Sequence, residues 1–267
     1  MTLPRRHWAE MRAPDFLGDT ADWIAVLPIA AIEQHGPHLP VATDTLIAEG
    51  QIARVIELLP PEIPATFLPV QAVGKSNEHI SSPGTLTLDW ETATKAWIEI
   101  GDSVARAGVK KLVIVTSHGG NVSIMDIVAR ELRVKHDMLA VSTAWARFGQ
   151  PDGVFPAEEF AYGIHGGDIE TSILLHLRPD LVDMAAATDF RSTQHELIAE
   201  MKHLRAHGPS QYGWKAQDLN PAGTVGNASA ATAEKGRASL DHAARGFAEL
   251  LDDVHRFDPG RLWQAPG

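Results

Sequence analysis

The sequence predicts an α/β fold: a mostly parallel sheet with helices on both faces. Two observations predict it. Short apolar or β-branched runs alternate with helical patterns over the first 146 residues, the order expected of β-α-β units. At 267 residues and 44% hydrophobic content, the chain can also bury a full core, read here as one domain over 1–267.

The elements follow in order. "WIAVLPIA" (23–30) reads as the first strand. In "LIAEGQIARVIELL" (46–59) the apolar residues Leu46, Ile47, Ile52, Val55, Ile56 and Leu59 recur at helical spacing until Pro60-Pro61 stops them. "ATFLPVQAVG" (65–74) is the second predicted strand. Asp89 then reads as the N-cap of an amphipathic helix that Gly108 closes. "KLVIVTS" (111–117) is a buried strand by length and composition, "NVSIMDIVARELRVKH" (121–136) a helix, and "MLAVSTAWA" (138–146) a fourth strand. The glycine- and proline-broken stretch 147–164 carries Phe155, Phe160 and Tyr162, and reads either as a flap over a site or as a connecting loop. A helix is expected just after His165 and another over 192–206. The stretch 211–236 is rich in turn residues, with Trp214 either packed in the core or reaching a neighbouring subunit. A long amphipathic helix over 237–257 completes the chain.

Charge and cysteine content narrow the function. There are 23 basic and 34 acidic side chains, a formal charge of -11, and no basic block, so nucleic acid and anionic membrane are not expected partners. Zero cysteines exclude disulfides and thiolate-held zinc or iron–sulfur clusters, so a metal must be held by imidazole and carboxylate. A soluble, cytoplasmic protein acting on a small molecule is the expectation, since no apolar run reaches the length of a membrane span.

In a parallel sheet ligands sit beyond the C-terminal strand ends, and the polar motifs collect there. Glu33, His35 and Asp44 follow the first strand, and Ser76, Asn77, Glu78 and His79 the second. His118 follows the third, and His165, Asp168 and Glu170 come after the fourth. Glu33 and His35 are two apart, so an extended backbone points both to one side. Gly36-Pro37 can turn the chain so that Asp44 returns to the same point. Imidazole plus carboxylate suits a divalent metal, and a carboxylate such as Asp44 can bridge two ions that together acidify a shared water.

Each motif alone has a plainer explanation. Asp44 can be a helix cap, "SHGGN" an anion-binding glycine turn, Asp168 or Glu170 a helix-dipole carboxylate, and "SNEH" a polar loop ahead of the "SPGT" turn. Scattered surface polarity would mark both strand ends, however, and these clusters follow the C-terminal ends only. His176, His195, His203, His242 and His255 sit in helical patterns without carboxylates and receive no chemistry; His38 reads as wall or support.

The motifs "EQHGPHLPVATDT", "GKSNEHISSPGTLTLD", "SHGGN" and "HGGDIETS", in this order over residues 22–180, resemble the creatininase family of metal-dependent hydrolases. The resemblance implies a compact α/β fold, a dinuclear zinc, manganese or iron centre, and cleavage of an amide-type C–N bond other than an ordinary peptide bond. It also implies a homo-oligomer, creatininase itself being a hexamer. Glu33, His35, Asp44 and His118 carry over as ligands with Asp44 bridging, and His165 matches the catalytic histidine. Creatininase has a glutamate two residues after the counterpart of His118, where this chain has Gly120; Glu170 is the candidate replacement ligand.

The expected reaction is attack of a metal-bridging hydroxide on the carbonyl of a lactam such as creatinine, or of a formamide. Gly119 and Gly120 amides steady the intermediate, and His165 protonates the leaving nitrogen. Glu78, with His79, stands in reserve for proton handling, and Ser76 and Tyr162 are expected against the substrate. Two readings compete: the same ions acting on a keto-sugar, and a catalytically silent binding protein.

Overall fold

The computed structural model describes residues 3–263. The first half of the chain forms β1 (Ile24–Ile29), α1 (Thr43–Leu58), β2 (Ala65–Phe67), α2 (Trp90–Arg106), β3 (Lys111–Thr116), α3 (Val122–His136) and β4 (Leu139–Ala144). The second half adds α4 (Ala157–Tyr162), α5 (Asp168–Leu177), β5 (Asp189–Phe190), α6 (Gln194–Glu200), α7 (Ala216–Leu219), β6 (Gly226–Asn227) and α8 (Ala233–Arg256). Among the described residues no helix is long and apolar enough to cross a membrane.

The main sheet is parallel, in the order β2-β1-β3-β4. Ile24 of β1 faces Ala65 on one side and Lys111 on the other, and every residue of β1 and β3 is buried. Side chains alternate between the faces. Ala25, Leu27 and Ile29 pack with Trp97 and Val104 of α2 and Leu132 of α3; Ile24 and Val26 pack with Val55 of α1 and Phe247 and Leu251 of α8. Helices therefore cover both faces, the condition for a wholly parallel sheet to exclude water.

The predicted caps form. Asp89 accepts the Glu91 N–H at 2.9 Å at the start of α2, and Gly108 turns the chain after it with φ +85°. Three elements differ from expectation. The second strand is three residues rather than ten, because Pro69 has no N–H for the ladder and the chain touches β1 again only where Gln71 pairs with Ile29. The helix expected over 192–206 ends at Glu200, and the chain folds back so that Gln194 Oε1 accepts the Ala206 N–H at 2.6 Å. Strands β5 and β6, two residues each and antiparallel, are too short to carry a period.

Because β2 lies on one side of β1 and β3 on the other, the loops leaving β1 and β3 diverge. This is the crevice where open α/β sheets bind ligands. Asn121 closes its floor. Its side-chain amide donates to Ala30 O after β1 (3.0 Å) and to Thr116 Oγ1 (3.2 Å), while its Oδ1 accepts the Lys75 N–H after β2 (3.0 Å). Three loops are thereby tied at one buried residue. Gly74 is required beside it, since a Cβ there would stand 2.3 Å from Ala30 O.

Candidate metal centre

The loop after β1 delivers Glu33 and His35, and the first turn of α1 delivers Asp44. The turn before α3 delivers His118, and α5 brings Glu170 from beyond His165. The structure brings all five together. His118 Nδ1 lies 3.2 Å from Glu33 Oε2 and 3.7 Å from Asp44 Oδ2; His35 Nε2 lies 3.9 Å from Glu33 Oε1, 3.8 Å from Asp44 Oδ1 and 3.7 Å from Glu170 Oε2.

The far nitrogens fix what the near ones offer. His35 Nδ1–H donates to the Glu33 carbonyl at 3.1 Å, and His118 Nε2–H faces the Lys75 carbonyl at 3.1 Å. A carbonyl only accepts. The neutral His35 ring therefore aims a lone pair at carboxylate oxygens, an arrangement that repels unless a cation stands between them. His118 differs: burial lowers its pKa, but the Glu33 charge and hydrogen bond outweigh burial and hold it well above the usual range, so its Nδ1 proton occupies the place a cation would take. Glu33 Oε1, His35 Nε2 and Asp44 Oδ2 are buried with no hydrogen-bond partner, and ligand atoms of Glu33, His35 and Asp44 lie within 4.8 Å of one another. Buried polar atoms left unpaired cost about 1–3 kcal/mol each, so three at one point fit a bound cation. The donor set suits zinc or manganese.

The acid–base balance agrees. Burial, then the Glu33 charge, holds the Asp44 carboxyl well above its usual range. Burial pushes Glu33 upward too, but the charge and hydrogen bond of His118 outweigh it and hold Glu33 well below. Burial lowers His35 to about 4, His165 to about 4 and His79 to about 3, so these rings are neutral.

His165 is held from both ends. Val225 pairs with it along the backbone, and its Nε2–H donates to the Gln34 carbonyl at 2.7 Å, leaving Nδ1 3.5 Å from Glu33 Oε1. Gln34 also sets His79. Its Oε1 accepts the Gly36 N–H at 2.9 Å and its amide donates to His79 Nδ1 at 2.8 Å, so the His79 Nε2–H faces Glu33 Oε1 at 3.5 Å.

A cleft of about 1040 Å³ opens over this cluster, with Glu78, His79, His118 and His165 on one side and Tyr212 and Trp214 on the other. Gly119 and Gly120 line it as well. The far wall thus comes mainly from the segment after α6, and the stretch 147–164 contributes only its last residue, Ile164. Trp214 belongs to this cleft within its own chain, its indole edge-on to His79 with ring centres 6.5 Å apart.

Other predicted residues land elsewhere. Ser76 is wholly buried beneath Glu33, and Tyr162 stacks on His195 at 3.6 Å beside a smaller cavity of about 170 Å³. Asp168 pairs with Lys235 Nζ at 2.6 Å and caps nothing in the centre. His38 Nε2 lies 3.0 Å from the Gly166 carbonyl and 2.9 Å from Thr171 Oγ1, supporting the turn beside His165. Sequence reasoning missed Gln34 and Lys75. Gln34 stood between two singled-out residues, Glu33 and His35; Lys75 stood immediately before Ser76.

A buried imidazole–carboxylate centre at the switch point of a parallel sheet defines a metal-binding α/β enzyme. The creatininase family profile, described as creatinine amidohydrolase, matches residues 8–251, and the chain belongs to that family. It is 33% identical over 250 residues to a mycofactocin precursor peptide peptidase of Mycobacterium ulcerans, covering 89% of this chain and 87% of that one. It is 29% identical to a creatinine amidohydrolase of Pseudomonas putida, with 91% and 93% covered. It is 22% identical to a 3-dehydro-scyllo-inosose hydrolase of Thermotoga maritima, with 90% and 80% covered. Two solved creatininase structures, a manganese form and a mutant of zinc–zinc type, superpose with a TM-score of 0.74 each. They share 26% and 27% identity with this chain; each covers 94% of it, and it spans 99% and 98% of theirs. The protein is a hydrolase of the creatininase family, with a buried imidazole–carboxylate cluster that suits a metal.

Proposed function

We propose that the protein hydrolyses a lactam or formamide with two divalent ions, zinc, manganese or iron, held by Glu33, His35, Asp44, His118 and Glu170. The observation that carries this is Asp44, whose Oδ1 faces His35 and whose Oδ2 faces His118, with Glu33 beside both rings. A carboxylate so placed can serve two ions. Such ions, when bound, make water nucleophilic at neutral pH and polarise a carbonyl.

The chain's own residues do the rest. His165, neutral at rest, presents Nδ1 to the centre; it takes the proton that water gives up and passes it to the departing nitrogen, which is a poor leaving group as an anion. Gln34 keeps the His165 ring in the tautomer this requires. Trp214 and Tyr212 wall the substrate from solvent on the opposite side. A cytoplasmic location and a homo-oligomer complete the proposal, on the cysteine-free composition and the family resemblance.

The cleft volume supports a second reading. About 1040 Å³ has room for an amide longer than a single small ring, such as the end of a short peptide, the class named for the Mycobacterium ulcerans relative. Screening the zinc- and manganese-loaded protein against lactams, cyclic ureas, formamides, short peptides and a keto-sugar decides between them, with Glu33→Gln as the control. Turnover of an amide in wild type and its loss in the variant is expected. Turnover of the keto-sugar alone would overturn the amide reading.

A further inference from the structure

Beside His118, on the side away from Glu33 and Asp44, the Glu78 carboxylate occupies the space that a side chain at position 120 would fill. A Cβ built on Gly120 would stand 2.0 Å from Glu78 Oε1 and 2.4 Å from His118 Nε2. Glu78 Oε1 lies 3.2 Å from His118 Nε2, and its other oxygen accepts from Lys75 Nζ at 2.7 Å. Both partners come from the loop after β2, which Asn121 ties to the loop carrying His118.

We propose that Glu78 is a positioning residue for the metal centre and that Gly120 is required to admit it. Glu78, anchored by Lys75, stands 3.2 Å from His118 Nε2, whose N–H also faces the Lys75 carbonyl at 3.1 Å, and together they hold the ring with Nδ1 aimed at Glu33 and Asp44. A carboxylate on the far nitrogen of a metal-bound imidazole fixes its tautomer and raises its basicity, and losing one typically costs about 10–100-fold in metal affinity. This gives the departure at position 120 a physical reason. The chain lacks the glutamate that creatininase carries there, and the volume is taken by a carboxylate from a different loop. In this role Glu78 works through His118. The proposal rests on His118 being a metal ligand.

The test is a double-mutant cycle on zinc affinity, measured by chelator competition on apo protein reloaded with zinc, with the His118 tautomer followed by ¹⁵N NMR. Glu78→Ala should weaken zinc binding about 10–100-fold and shift the His118 Nε2 resonance, with the Lys75 carbonyl still accepting the Nε2–H. Glu78→Gln, whose carbonyl still accepts, should lose less. Gly120→Ala should weaken zinc binding at least as much as Glu78→Ala, because its methyl would press on His118 as well as displace the carboxylate, and removing Glu78 in that background should cost less than it does in wild type. Circular dichroism checks that each variant is folded; if Glu78→Ala does not fold, Glu78→Gln carries the test. Variants that bind zinc as wild type does, or single effects that simply add, overturn the proposal. Wild type that takes up no zinc removes the reading of the centre itself.

Discussion

Ser76 Oγ donates a 2.5 Å hydrogen bond to Oε2 of Glu33, and both side chains are closed off from solvent. Hydrogen bonds to charged groups contribute about 1.5–3 kcal/mol, and the carboxylate here has few other donors. Ser76→Ala should lower unfolding free energy by that order in urea denaturation and weaken zinc uptake. An unchanged urea midpoint would show that Ser76 does not support Glu33.

Three unpartnered buried atoms at one point make the apo protein the less stable form. Added zinc or manganese should raise Tm, and EDTA should reverse the rise. At about 1,000-fold excess over Kd the gain approaches about 4 kcal/mol. A Tm indifferent to both ion and chelator counts against any cation at this place.

Glu159 of α4 is buried among Gly163, Gly167 and Gly226, and its Oε2 accepts the Asn227 N–H at 3.2 Å. Burial, with the Asp168 charge adding to it, raises this acid from 4.5 to about 7. The folded chain thus holds a proton that the unfolded chain has lost, so stability falls as pH climbs between those values and the loss is complete above about 7. Glu159→Gln should gain in unfolding free energy relative to wild type between about pH 5 and about pH 8, by up to about 3 kcal/mol. A constant difference across that range would contradict the assignment.

Lys235 of α8 reaches the buried Asp168 at the start of α5. Lys235→Met leaves Asp168 with Ser172 at 3.0 Å as its remaining side-chain partner and should cost about 2–4 kcal/mol of stability. Zinc stoichiometry should not change, because Asp168 stands outside the centre. Loss of metal with stability intact would place Asp168 inside it.

Much of this was legible in the sequence. The runs that became β1 and β3 are apolar throughout because both sheet faces are covered, and Glu33, His35, Asp44 and His118 stand directly behind them. Glu170 was harder to place, since twenty residues of turns and α4 separate β4 from His165. What sequence order hides is which loop fills which space. Nothing in "SNEH" or "SHGGN" shows that Glu78 lies where a side chain at 120 would lie, or that Gln34 sets two histidines from another loop. Trp214 and Tyr212 were illegible for the same reason, because the wall they build depends on the chain reversing after Glu200.

The knot at Asn121 carries a kinetic consequence. One buried amide joins stretches that are 46 and 91 residues from it in sequence, so no early, locally folded piece of the chain can assemble the cation cage. Ion capture therefore reports the final docking of three distant segments, and leakage of the ion under mild stress reports their first separation, ahead of any loss of helix.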